Sequence, residues 1–476
     1  TSCGVELMSS CTLIALARPT FDVAAAEKFY GQARALLTEL GATINGPANL
    51  VMTPEDTASA EANLNHDEKL YILFNASFAD ASAAISLLSK VKGEVLLWSV
   101  REFGEVGDRL LLNSMCGSNL AAHALRVNGK RITHLHGNPE ESHVREGLKS
   151  ALAGVMPDVG QPTTLKGDLA ETGKVLKSLE LLKGRTIGAI GDAPAGFTPC
   201  NYDSEALASK FGISVINKSI PEIFADIAAV PESEQSAEYK DACDAQPSLK
   251  NVPEKEARVN ASTTVALKNW IEANNLSAIA MRCWPDFAVD LGACPCGAMG
   301  RTATRGTPAA CERDVYGAVT MLLLEALGSG TNYLVDTVDL EEDENIIRIW
   351  HCGSASTTLA VDPANATQYI HCNRKLGVAG NFPLKTGPVV LVRLDSDIDP
   401  ANPSKLRLVM TSGESLSAPN RFQGNTATVR TSAPARQLIN GLIHNGFPHH
   451  TVVAWKDIRA EVRRMAELLA IPLTEW

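Results

Sequence analysis

One change of texture constrains the fold of this chain more than any other feature. Up to about residue 330, strand-like runs alternate with helix-patterned segments; from Tyr333 onward, short β-rich runs dominate. Alternation of this kind builds parallel sheets with helices on their faces. The first stretch reads as a strand at Cys11–Ala17 and a helix over Asp22–Leu40, with Ala25, Phe29, Ala33 and Leu37 near helical spacing. A βαβ pattern follows: Leu70–Asn75, a helix over Ala81–Leu88 with Asp80 as its N-cap, and Val95–Val100. Gly154–Gly167 is rich in Gly, Pro and Thr and suits a linker.

A second α/β segment then runs through a strand at Thr186–Ile190, a helix at Ser204–Phe211 and a strand at Ser214–Asn217. Pro231–Asn251 is polar and charged and reads as a surface excursion; Thr264–Asn275 reads as a helix and Ser277–Cys283 as the strand after it. The β-rich runs are Tyr333–Leu340, Ile346–Cys352, Val389–Leu394 and Leu406–Thr411, separated by turn residues, which is the pattern of an antiparallel sheet or barrel. A strand at Thr451–Trp455 and an amphipathic helix bearing Ile458, Val462, Met465 and Leu469 close the chain.

Length and charge limit the function classes. With 476 residues the chain has room for two to four domains. The formal net charge of -11, with no basic stripe, argues against nucleic acid as a partner. The 11 cysteines are an odd number, and Cys11, Cys283 and Cys352 lie in apolar runs, so reduced, buried thiols are expected rather than a disulfide framework. No basic segment followed by an apolar stretch marks a signal peptide, and the apolar run Val319–Leu327 is interrupted by Glu325 and too short to span a bilayer. A cytoplasmic protein without a membrane partner is expected.

Against that background, several polar residues stand where apolar ones belong. Thr307-Pro308 has the chemistry of a helix start and Gly328 that of its end, with an apolar stripe of Val315, Val319, Leu322, Leu323 and Ala326. Glu312 projects on that stripe, whereas Arg313 and Asp314 project elsewhere. The ordinary alternative is a Glu favoured by the helix dipole. Asp336 shares a strand face with Leu334 and Val338, where a carboxylate is depleted. If the acidic run Glu341–Asn345 is a hairpin loop, Asp336 falls opposite Trp350 or His351. His449 and His450 precede a strand and point to opposite sides, so one of them binds a metal and the other orients substrate or the first ligand. Charged and imidazole groups on buried faces are costly unless compensated, and one divalent cation compensates them together. Carboxylates with imidazole suit Mn²⁺, with Mg²⁺, Fe²⁺ or Co²⁺ as alternatives. Cys294-Pro295-Cys296 has no second pair at zinc spacing, Gly188–Gly191 lacks a full dinucleotide fingerprint, and no GxSxG element occurs. No nucleotide cofactor is expected.

With these residues identified, the chain resembles the L-fucose isomerase and L-arabinose isomerase superfamily. The resemblance is carried by MRCWPDF (281–287), PAACERDVYGAVTMLLLEAL (308–327), YLVDTVD (333–339), IWHCGSA (349–355) and GFPHHTVVAWKD (446–457), with ARPTFD (17–22) near the start. It implies two Rossmann-like parallel-sheet domains, 1–165 and 166–330, the second carrying Glu312. A C-terminal domain, 331–476, would contain an antiparallel β-barrel and carry Asp336 and His450. The resemblance further implies Mn²⁺ held by Glu312, Asp336 and His450. His351 resembles a further ligand of the arabinose branch, but Asp rather than Glu at 336 favours the fucose-like branch. His351 and His449 are then second candidates for metal or substrate.

The activity implied is reversible aldose–ketose isomerisation of an open-chain sugar, with a proton passing between C2 and C1 through an enediolate. Glu312 and Asp336 would be base and acid, and the metal would polarise the sugar oxygens. Arg18 and Trp98 are candidates for holding the distal end of the sugar. A homohexamer or homotrimer with active sites between subunits is implied. L-fucose, D-arabinose and L-arabinose are substrates of the superfamily, and some fucose isomerase-like proteins act on sulfoquinovose, a glucose with a sulfonate at C6. An anionic end of that kind calls for an Arg or Lys cluster. The competing readings are a non-catalytic sugar-binding protein and a metal-dependent epimerase or lyase using the same enediolate chemistry.

Overall fold

The computed structural model describes residues 10–162, 167–402 and 404–476. Its first sheet holds β1 (Ser10–Leu16), β2 (Thr43–Asn45), β3 (Leu70–Asn75), β4 (Glu94–Ser99) and β5 (Thr133–His136) in the order β2-β1-β3-β4-β5, all parallel. Every residue of β3 is buried, as a strand covered by helices on both faces requires. The strand order reverses at β1 and β3, and the crevice beyond the carboxyl ends of such a pair is where ligands bind. Arg18 follows β1 and Phe78 follows β3, so both stand at that crevice.

The second sheet holds β6 (Thr186–Ile190), β7 (Ser214–Lys218), β8 (Ala278–Met281) and β9 (Ala309–Cys311) in the parallel order β7-β6-β8-β9. Three sequence expectations change here. The helix expected from Thr307 starts at Val315, because Thr307-Pro308 leads instead into the short strand β9. The polar stretch Pro231–Asn251 contains a helix, Glu232–Ala245, whose buried residues are Ala242 and Cys243; so narrow an apolar contact leaves little periodicity to read. The helix expected from Thr264 begins at Glu254 and runs to Asn274. Within the expected linker, residues 163–166 lie outside the described residues, and with them the 165/166 domain boundary.

The remaining strands are β10 (Asn332–Glu341), β11 (Ile346–His351), β12 (Gln368–Ile370), β13 (Gly377–Gly380), β14 (Phe382–Pro383), β15 (Gly387–Ser396), β16 (Leu406–Leu416), β17 (Asn425–Thr431), β18 (His450–Ala454) and β19 (Leu473–Glu475). A mixed sheet runs β14-β17-β11-β10-β18-β15-β16-β19, and β17 also pairs with β16. Strand alternation splits the core around β10. Tyr333 and Val335 join the cluster that contains Tyr71 and Leu97 of the first sheet. Leu334 joins Val315, Val319, Val390 and Val452. The third sheet thus lies between the first sheet's core and the helix Val315–Ala326, and the last residues of β8 and β9, Met281 and Cys311, share a core cluster with Val338 and Trp350 of that sheet. Among the described residues no helix is long and apolar enough to cross a membrane.

Candidate functional site

After Cys311 the chain enters a tight turn in which Glu312 and Arg313 both have φ of 59°. The Asp314 backbone N–H closes the turn on the Cys311 carbonyl at 3.0 Å. A left-handed conformation costs an L-residue about 1–2 kcal/mol, and two adjacent non-glycine residues hold it here. Asp314 then caps the helix Val315–Ala326 by accepting from the Gly317 N–H at 2.8 Å. Gly317 is needed at that point, since a Cβ would lie 2.9 Å from Asp314 and Leu334 side-chain atoms. The turn, and not a helical face, is what carries Glu312 into the cavity.

Asp336 is paired on both sides. It stands opposite Trp350 of β11, one of the two residues the hairpin expectation allowed, and opposite His450 of β18. Its Oδ1 lies 3.4 Å from His450 Nε2, and Glu312 Oε2 lies 3.3 Å from the same nitrogen. On the other side of the ring, His450 Nδ1 lies 2.8 Å from Asp314 Oδ2. Asp314 is in turn paired with Arg393, and both side chains are fully buried. Glu312 Oε1 accepts from the Trp284 indole N–H at 3.2 Å. His449 Nε2 is 3.8 Å from Glu312 and 4.0 Å from Asp336, and its ring packs against the Phe197 ring.

The donor set fits a divalent cation. Glu312 Oε2, Asp336 Oδ1 and His450 Nε2 are buried and lack a hydrogen-bond partner. A carboxylate oxygen of Glu312 and one ring nitrogen each of His351 and His450 lie within 4.8 Å of one another. The two histidines differ in tautomer. The Asp314 carboxylate accepts the Nδ1 proton of His450, so Nε2 is the nitrogen aimed at the carboxylates and would ligate a cation on losing its own proton. His351 Nδ1 accepts the Cys352 backbone N–H at 2.9 Å, which leaves Nε2 as a donor facing the cavity.

The electrostatics match this crowding. Burial works to raise the Glu312 carboxyl, but the imidazoles of His449 and His450 outweigh it and hold it well below the usual range. Burial pushes Asp336 up to about 7; His450 opposes this and Glu312 adds to it. For His450 burial pulls downward, yet Asp314 and Glu312 raise it to about 10. Burial lowers His449 to about 4 and His351 to about 3.

Arg18 lines the same cavity, together with Asn113, Trp284, His371 and Arg374. Its guanidinium carbon lies 4.6 Å from the Trp284 ring centroid. Trp98 does not reach this cavity: it is fully buried, its indole donates to the Gly137 carbonyl at 2.9 Å, and it packs edge-on against Phe74. An aromatic on a strand of a covered parallel sheet is a core residue, and the expectation of a sugar contact at Trp98 is corrected accordingly. Sequence reading missed Asp314, Trp284, His371 and Arg374. Trp284 and Asp314 lay inside segments that carry the resemblance, MRCWPDF and PAACERDVYGAVTMLLLEAL; His371 and Arg374 carried no periodic signal.

No family model matches the chain. Curated proteins do. It is 31% identical over 469 residues to a sulfoquinovose isomerase from Alkalicoccus urumqiensis, covering 98% of this chain and 99% of that one. A sulfoquinovose isomerase from Priestia megaterium is 30% identical over 458 residues, 96% of each chain. One from Clostridium sp. is 29% identical over 460 residues, 95% of this chain and 96% of that one. Among solved structures, a periplasmic sugar-binding protein of an ABC transporter from Legionella pneumophila covers 68% of this chain and 97% of that one. Its TM-score of 0.21 at 12% identity is too low to carry an argument. The near-complete mutual coverage of the curated relatives leads to one conclusion: the chain belongs to the sulfoquinovose isomerase family.

Proposed function

We propose that this chain is an aldose–ketose isomerase that interconverts sulfoquinovose and its ketose, working on the open-chain sugar with a divalent cation, Mn²⁺ first among the candidates. The observation that carries the reading is the grouping of unpartnered, buried Glu312 Oε2 and Asp336 Oδ1 around His450 Nε2 in a chain related over nearly its full length to sulfoquinovose isomerases. The L-fucose isomerase-like classification is part of the same proposal.

Isomerisation needs a base at C2, a return of that proton to C1, and a second proton moving from the C2 oxygen to the C1 oxygen. Glu312 and Asp336 are the carboxylates bordering the cavity, and each would lend one oxygen to the cation and use the other for the proton. Trp284 fixes the Glu312 carboxylate through Oε1, which keeps Oε2 directed at His450. Glu312, Asp336 and His450 would hold the cation, which when bound polarises the carbonyl and stabilises developing negative charge on the sugar oxygens. His351 donates from Nε2 to a sugar oxygen, and its stacking on Trp350, at an interplanar angle of 8°, orients that donor.

The test is product analysis by ¹³C NMR with a panel of aldoses that includes sulfoquinovose, L-fucose and D-arabinose. Appearance of a C2 ketone signal from sulfoquinovose supports the proposal. An unchanged spectrum for every aldose, with the cation supplied, would sink it.

A further inference from the structure

We infer that Arg374 and Arg18, held against Trp284, form the subsite that receives the anionic group of the substrate. The inference rests on the proposed sulfoquinovose reading and deepens it. Both guanidiniums lie over one indole: Arg18 at 4.6 Å and Arg374 at 5.3 Å from its centroid. Aromatic contact of this kind holds a guanidinium in place without neutralising it. The only carboxylate paired with Arg18 among the described residues is Asp80, at a long 3.9 Å. Among the described residues Arg374 has no ion pair at all, and no hydrogen bond engages its guanidinium. Two neighbouring positive groups with one distant partner leave net positive charge on the wall of a cavity whose other lining includes Glu312 and Asp336.

A sulfonate offers three oxygens around a single negative charge, and the planar fork of Arg binds such oxygens in pairs. His371 adds a neutral donor. Its Nδ1 accepts the backbone N–H groups of Asn373 and Arg374 at 3.1 and 3.2 Å, so Nε2 carries the proton. Those same bonds fix the loop that bears Arg374. Trp284 is then a spacer between the two ends of the cavity: its ring face holds the guanidiniums while its N–H holds Glu312. A substrate anchored there by its C6 anion has its carbonyl end set against the carboxylates.

The test compares sulfoquinovose with quinovose, the same sugar with a methyl group at C6, by turnover and by calorimetric binding, for the wild type, Arg374→Gln, Arg374→Lys and Arg18→Gln. In Arg374→Gln the ratio of kcat/KM for sulfoquinovose over quinovose is expected to fall about 30-fold or more, with Arg374→Lys intermediate. Arg18→Gln is expected to lower the same ratio, and it serves where Arg374→Gln does not fold. Wild-type discrimination retained in these variants overturns the subsite, and so does a wild type that binds both sugars equally. If the wild type isomerises neither sugar yet binds sulfoquinovose more tightly, and that preference disappears in Arg374→Gln, the isomerase reading falls and the subsite stands.

Discussion

Asp314 Oδ2 accepts the Nδ1 proton of His450 at 2.8 Å, joining the start of the helix Val315–Ala326 to the first residue of β18. The same carboxylate is paired with the buried Arg393 and caps the helix through Gly317. One side chain therefore sets the His450 tautomer, neutralises a buried guanidinium and fixes the turn that presents Glu312. The site is built from Asp314 outward.

Asp314→Asn keeps the shape and removes the charge. Metal affinity measured by calorimetry is expected to fall about 10–100-fold, as for other groups that orient a ligating histidine. Urea unfolding is expected to show a loss of about 3–5 kcal/mol, because Arg393 is left buried without its partner. Unchanged values of both would mean that Asp314 is a helix cap and nothing more.

Glu312→Gln and Asp336→Asn remove the proposed proton carriers one at a time. Each is expected to lower kcat by about 10²–10⁴-fold while leaving the circular dichroism spectrum unchanged. Normal turnover by both variants would show that the proton-transfer groups lie elsewhere.

The turn itself is testable at Arg313, whose φ is 59°. Arg313→Val places a β-branched residue in a left-handed conformation and is expected to destabilise by about 2 kcal/mol and to displace Glu312, lowering activity. Arg313→Gly meets the backbone requirement and is expected to retain most activity. Equal behaviour of the two variants in thermal unfolding and turnover would remove the backbone argument.

Acid stability has a separate source. Asp395 is buried beside His123 Nε2 at 3.4 Å and Arg407 at 2.9 Å. Burial works to raise its carboxyl, but these partners outweigh that and hold it at about 2. Its folded value lies below the unfolded one, so its contribution is fully present above pH ~4 and is lost as pH falls toward ~2. The shift corresponds to about 2–3 kcal/mol. Asp395→Asn should flatten the dependence of the urea midpoint on pH across that window; a profile identical to wild type would contradict the pairing.

Much of the site was legible because strands are local. The alternation in β10 and the acidic loop at 341–345 were enough to place Asp336 opposite Trp350 or His351, and the register selects Trp350. The route of Glu312 was not legible. Thr307-Pro308 has the chemistry of a helix start, and the three-residue strand Ala309–Cys311 is too short to show a period against it. Asp314 was set aside as pointing away from an apolar stripe, since its partner Arg393 lies in a distant strand and no local pattern links them. Trp98 shows the opposite failure: it was a candidate for holding the distal end of the sugar, but the helices packed on both faces of its sheet bury it completely. The Arg18–Trp284–Arg374 arrangement draws on three separate segments, and only the folded chain brings them to one cavity.

The most direct measurement follows the conversion of sulfoquinovose by ¹³C NMR with chelator-treated protein, before and after Mn²⁺ is restored. If Glu312, Asp336 and His450 act as one metal centre, turnover is lost on chelation and returns with Mn²⁺, and Glu312→Gln stays inactive in both states. Full turnover by the metal-free protein would contradict the account.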